Sequence, residues 1–94
     1  MTETVAKSSG NVFVDLGYSP DDAAILQMRA DLMADLRNFI KAKRLTQANA
    51  AEILGVSQSR VSDLIRGKWE RFSLEMLIIL ATKAGMRVAL RRAA

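Results

Sequence analysis

Apolar residues recur at helical spacing through most of this 94-residue chain, and polar residues with helix-capping side chains divide the pattern into segments. The longest segment begins at Ser19-Pro20, where serine suits the N-cap and proline suits the first helical position. Its apolar positions follow the i, i+4, i+7, i+8 spacing of one helix face, which predicts a helix from residue 20 to about Lys43. That face comprises Leu32, Leu36, Phe39 and Ile40. A helix of this length spans about 37 Å, so we expect its first two turns to project beyond the core.

A second apolar segment, residues 74–84, follows Ser73 and stops at Gly85. Serine is a good N-cap, and glycine is the residue most often found just after a helix C-terminus. Because the segment is apolar on nearly all sides, we expect a central core helix with a second face available for a subunit contact.

Apolar side chains at every second position near both ends of the chain, in residues 11–16 and residues 86–90, favour two short β-strands. Since a lone strand cannot satisfy its own amides, we expect these strands to pair with each other or with a second subunit. The alternating residues of the last segment, expected at a dimer contact, are Met86, Val88 and Leu90. Residues 1–10 have nothing to pack and are predicted to form a disordered tail, which leaves residues 11–94 as a single domain with its core at 30–85.

The stretch between the two long segments, residues 46–67, carries two helix starts and two helix stops. Thr46 and Ser57 suit N-caps, whereas Gly55 and Gly67 suit residues that leave a helix with positive φ. Ala51 is small enough to let two crossing helices approach closely. These features predict two short helices joined by a tight turn. The residues expected to face inward are Val56, Val61, Leu64 and Ile65. The opposite face of the second helix comprises Gln58, Ser59, Arg60, Ser62 and Asp63.

The order Ala51, Gly55, Val56, Val61, Leu64 resembles the helix-turn-helix DNA-binding unit. The flanking residues 43–47 and 65–68 look like those of phage-repressor and Cro-type domains, the XRE family. From residue 15 to residue 90 the chain is similar to the HigA-like antitoxins of that family. The resemblance implies a mostly all-α, five-helix, lambda-repressor-like domain with short terminal β-strands, in which the second and third helices form the DNA-reading pair.

In domains of this family the second helix of the unit lies in the DNA major groove, and its first residues contact base edges. Carried over by position, the base-reading residues are Gln58, Ser59, Arg60 and Ser62. The residues that the resemblance places on phosphates are Lys43, Arg44, Thr46, Gln47, Ser57, Arg66 and Lys68. Many relatives have an amide or a proline where this chain has the shorter Ser59, so the operator sequence cannot be transferred from them.

The composition argues against several classes of protein. Cysteine and histidine are absent, which removes thiolate and imidazole catalysis and the usual zinc ligands. We therefore expect no enzyme activity, no cofactor and no metal. No apolar run approaches the roughly 20 residues needed to span a bilayer, and the N-terminus lacks the apolar core of a signal peptide. We expect a soluble, cytoplasmic protein without membrane association.

Charge is divided along the chain. Residues 1–35 hold two basic and six acidic side chains, net −4, whereas residues 36–94 hold twelve basic and four acidic ones, net +8. A basic half around the helix pair suits a phosphate backbone, although an ordinary solvated surface is the commoner reason for such charge. We expect the acidic third to face a basic protein partner through Ile25, Leu26 and Met28. Alternatively, it offsets the basic half or packs on a second subunit.

These observations lead to one functional hypothesis and two alternatives. We expect a homodimeric, sequence-specific repressor that binds double-stranded DNA at an inverted-repeat operator. The resemblance further implies the antitoxin of a type II toxin–antitoxin pair, with a HigB-like RNA-cleaving toxin as partner. A stand-alone XRE-type or prophage regulator is the first alternative, and a protein-interaction module without DNA binding is the second.

Overall fold

The computed structural model describes residues 11–90 and residue 92, which form five α-helices and no strand. The helices are α1 (Val12–Asp15), α2 (Pro20–Ala42), α3 (Gln47–Leu54), α4 (Gln58–Ile65) and α5 (Leu74–Lys83). A single 3₁₀ turn, Trp69–Arg71, lies between α4 and α5. The expected all-α helix-turn-helix fold class is confirmed, but the predicted pair is formed by the third and fourth helices, α3 and α4, rather than by the second and third, because residues 12–15 form an additional helix. The tail predicted for residues 1–10 lies outside the described residues.

The four helix starts predicted from serine and threonine are all present as capping hydrogen bonds. The amide of Asp22 donates to Ser19 Oγ at 3.3 Å, and the amide of Met76 donates to Ser73 Oγ at 3.1 Å. The caps of α3 and α4 have the same form, described with the site below. Because each cap satisfies an amide that the helix itself leaves unpaired, the local sequence determines where these helices begin.

The prediction that residues 86–90 pair as a strand within the chain is wrong, because Met86, the first of them, closes the end of α5. Gly85 has a φ of 90°, and the amide of Met86 donates back to the carbonyl of Ala81 at 2.9 Å. This is the glycine-terminated helix end that packs the following apolar residue onto the helix. Met86 is accordingly half-buried against the core, whereas Val88 and Leu90 are exposed and form no ladder within the described chain.

The strand prediction for residues 11–16 is also wrong, since these residues form α1. Asn11 Oδ1 accepts a hydrogen bond from the amide of Phe13 at 2.9 Å, which caps the helix. Asn11 Nδ2 donates to the carbonyl of Ala23 at 3.1 Å, which ties the start of α1 to α2. Phe13 also makes edge contacts with the rings of Tyr18 and Trp69. The cap and this packing override the alternating apolar pattern.

The first turns of α2 do not project beyond the core as expected, because α1 packs against them. Ala23 is completely buried and Leu26 is 8% exposed, so Leu26 is a core residue and the prediction of a partner contact there is wrong. Ile25 and Met28, on the other side of the same turns, are exposed. The acidic end of the molecule therefore retains two of the three apolar residues proposed for its surface.

The core lies between α2, α3, α4 and α5. Its largest buried side chains are Phe72, Met33, Leu36, Leu54, Leu64, Leu77 and Val61. Helix α5 buries one face against α2 and α3 through Leu77, Leu80 and Ala81. Its other face leaves Ile78 and Ile79 exposed, so α5 is buried on one side rather than on most sides.

Candidate nucleic-acid interface

The turn between α3 and α4 is closed by two hydrogen bonds to one carbonyl. The amides of Gly55 and Val56 donate to the carbonyl of Ala51 at 2.8 and 3.0 Å. Gly55 has a φ of 71°, and a Cβ at this position would lie 2.9 Å from Lys83 Nζ. Glycine is therefore favoured by the backbone conformation, while the small and buried Ala51 lets the two helices cross closely.

The inner face of α4 holds this helix against the core. Val61 and Leu64 are 0% and 1% exposed, and Val56 packs on the core from the turn. Ile65 was expected to face inward as well, but it is 39% exposed. Ile65 is the last residue of α4, where the helix leaves the core. The apolar pattern therefore extends one position beyond Leu64, the last buried residue of the helix.

The outer face of α4 begins with a capped and exposed first turn. Ser57 Oγ accepts from the amide of Arg60 at 3.1 Å, so this hydroxyl is used within the protein. Gln58 and Ser59 are exposed, and Ser62 is half-buried. These three predicted base-reading residues share the solvent-facing side of a helix that is fixed on its other side.

Arg60, the fourth predicted base-reading residue, is folded back onto the protein. Its Nη1 donates to the carbonyl of Arg71 at 3.0 Å, and its guanidinium lies 5.5 Å from the centre of the Phe72 ring. Arg71 in turn lies 3.6 Å from a carboxylate oxygen of Asp63. Arg60 therefore links the end of the 3₁₀ turn, and Phe72 directly after it, to α4. No sequence signal paired Arg60 with Phe72, because the two lie on different elements.

Most of the predicted phosphate-binding residues lie in two segments, one at the start of α3 and one after α4, whereas Ser57 lies between the two helices as the N-cap of α4. In the first segment Lys43, Arg44 and Gln47 are exposed, and Thr46 Oγ1 caps α3 by accepting from the amide of Asn49 at 3.0 Å. In the second segment Arg66 is exposed and Lys68 is half-buried. Both segments are basic, and each adjoins one end of the helix pair.

Two other kinds of site find no support in the part of the chain that the structure describes. No group of three or more acidic, cysteine or histidine side chains is arranged to hold a metal ion there. None of the helices described is both long enough and apolar enough to cross a bilayer.

Two capped helices joined at Gly55, with a buried inner face and a polar outer face on α4, define a helix-turn-helix protein. In agreement, residues 12–92 match the family described as helix-turn-helix domain, and because the match covers most of the sequence, the chain belongs to this DNA-binding family. Such families are typically non-enzymatic. No curated protein matches the chain.

Proposed function

We propose that this protein is a sequence-specific repressor that places α4 in the major groove of duplex DNA. The observation that carries the proposal is the first turn of α4, where Gln58 and Ser59 are exposed while Val61 and Leu64 anchor the same helix in the core. A side chain on a rigid and projecting helix can form base-edge hydrogen bonds without a large ordering cost. Exposed cations on both sides of the pair supply phosphate contacts.

A comparison of two substitutions tests this proposal. Gln58→Ala should lower the preference for the selected site over random duplex by about 1–3 kcal/mol, because a base-edge contact is lost. Lys43→Ala should weaken binding to both duplexes equally, because a phosphate contact is independent of sequence. The preferred site is first selected from random duplex DNA, and affinities are then measured by fluorescence anisotropy. An unchanged preference in Gln58→Ala, with Lys43→Ala behaving as expected, would place another element in the groove.

We further propose that the repressor is the antitoxin of a toxin–antitoxin pair and binds a basic, HigB-like RNA-cleaving toxin through its acidic end. Three observations support this: the similarity to HigA-like antitoxins, the division of charge, and the exposure of Ile25 and Met28 on α2. Asp21, Asp22 and Asp31 are exposed on the same helix. Apolar contacts inside a charged rim are typical of a protein interface whose association is steered electrostatically.

The antitoxin proposal is tested by a point substitution, because a deletion of residues 1–30 would remove the buried Ala23 and Leu26. Ile25→Lys should abolish rescue of cells that express the neighbouring toxin and should leave operator binding unchanged. Ala24→Lys, one position along α2 and also exposed, is the matched control. Rescue that survives Ile25→Lys, or a gene without a toxin-like neighbour, would favour the stand-alone regulator.

A further inference from the structure

A basic cavity at the C-terminal end of α2 includes two cations, Arg37 and Lys41, that are not among the predicted DNA contacts. The cavity has a volume of about 420 Å³ and is lined by the cations Arg37, Lys41 and Arg44. Its apolar lining residues are Ile40, Leu45 and Ile65, and Asn38 completes the lining without any acidic side chain. Three like charges around one cavity repel one another, so an anion bound there would relieve this repulsion.

The cavity connects the two segments in which phosphate contacts were predicted. Arg44 and Leu45 lead directly into Thr46, the N-cap of α3. Arg37 lies at the other end of the pair, since a Cβ at Gly67 would be 3.6 Å from Arg37 Nη1. Gly67 stands between Arg66 and Lys68, two other predicted phosphate residues. Arg37 and Lys41 thus place further positive charge between the start of α3 and the end of α4.

We propose that Arg37, Lys41 and Arg44 form a phosphate clamp that holds the DNA backbone beside the helix-turn-helix unit. This inference rests on the proposed DNA-binding function and adds Arg37 and Lys41 to the interface. The guanidinium groups donate paired hydrogen bonds to phosphate oxygens, and Lys41 contributes a point charge. The apolar lining residues Ile65 and Leu45 offer these cationic groups no acceptor, so the groups remain available to a phosphate.

The salt dependence of binding to a random-sequence duplex tests the clamp. Each phosphate contact contributes about 0.9 to the slope of log affinity against log salt concentration. Lys41→Gln and Arg37→Gln should each lower the slope by about 0.9, and the double substitution by about twice that amount. Arg37→Lys, which keeps a cation in the half-buried position, should retain most of the slope. Thermal unfolding of each variant checks that the fold is preserved.

Arg87→Gln is the matched control, because it removes the same charge from an exposed position outside the cavity. A second matched pair of variants changes Ile65, an apolar residue that lines the cavity. Ile65→Glu should lower the slope, because its carboxylate competes with phosphate for the cations, whereas Ile65→Gln should not. If Arg37→Gln and Lys41→Gln change the slope no more than Arg87→Gln does, the clamp is wrong and the proposed function still stands. If the unmodified chain shows no salt-dependent duplex binding, both proposals fall.

Discussion

Arg44 is the only residue other than glycine that has a positive φ in the described part of the chain, at 53°. It occupies the position just after the C-cap of α2, where the amide of Leu45 donates back to the carbonyl of Ile40 at 3.0 Å. A side chain in this left-handed conformation costs about 1 kcal/mol relative to glycine. A strained residue retained beside a candidate binding surface suggests that its side chain has a use there.

We predict that Arg44→Gly raises the free energy of unfolding by about 1 kcal/mol, because glycine relieves the backbone strain. The same substitution should weaken DNA binding, because it removes one cation of the phosphate clamp. Urea unfolding and duplex titration measure the two effects separately. Arg44→Ala is the control, since it loses the charge and keeps the strain. Equal stability of the glycine and alanine variants would show that the left-handed conformation is not costly here.

Arg60 shows the limit of assigning a residue's role from its position in a motif. Its place in the first turn of α4 indicates a DNA contact, yet its guanidinium is bound to the carbonyl of Arg71 and lies over Phe72. To reach a base it would have to leave both. The contacts of Gln58 and Ser59 require no such rearrangement, because both are already exposed.

At the scale of the elements, the sequence predicted helices where a local chemical signal existed. Ser19, Thr46, Ser57 and Ser73 each form the cap that their position indicated. The helix end after Lys43 was also placed correctly. The exposed polar turn of α4 and its buried aliphatic residues followed from the same pattern. These features depend on residues close together in the chain, which is why sequence alone was sufficient.

The expected pairing of residues 11–16 with residues 86–90 within the chain failed because the deciding contacts are tertiary or are formed by the backbone. The alternation in residues 11–16 is the same whether or not Asn11 can reach the carbonyl of Ala23, but that bond exists only once α2 is in place. The basic cavity was missed for a related reason. Arg37 and Ile65 are far apart in sequence and come together only when α2 and α4 pack.

The docking of α1 provides a test of this tertiary explanation. We predict that Asn11→Ala detaches α1 and destabilises the protein by about 1 kcal/mol, because it removes a helix cap and the bond to α2. Trp69, the single tryptophan and a contact of Phe13, reports the change as a red shift of its fluorescence. Asn11→Asp keeps the capping oxygen and loses the donor, so its shift should be intermediate. Unchanged fluorescence in Asn11→Ala would mean that aromatic packing alone holds α1.

At the scale of the whole molecule, charge and apolar surface are distributed in different ways. The basic groups concentrate around α3, α4 and the end of α2, while the acidic ones concentrate at the start of α2. The exposed apolar residues outside α1 and α2 include Ile78 and Ile79 on α5 and Val88 and Leu90 after it. A chain with a single DNA-reading helix gains affinity and specificity for DNA when it forms a dimer, because the two reading helices then contact two half-sites.

We predict a homodimer in which the exposed face of α5 forms the contact and the two α4 helices lie about 34 Å apart, one turn of DNA. Ile79 is 55% exposed in the single chain, so Ile79→Asp should cause little loss of stability while converting the dimer to a monomer in sedimentation velocity. Ala24→Asp, at an exposed position on α2 and away from α5, is the control for added charge. Val88→Asp tests the alternative dimer, in which residues 86–90 pair with the same residues of a second chain, because this substitution disrupts only that arrangement. An unmodified chain that is monomeric at tens of micromolar and still binds an inverted repeat at full affinity would rule out both interfaces.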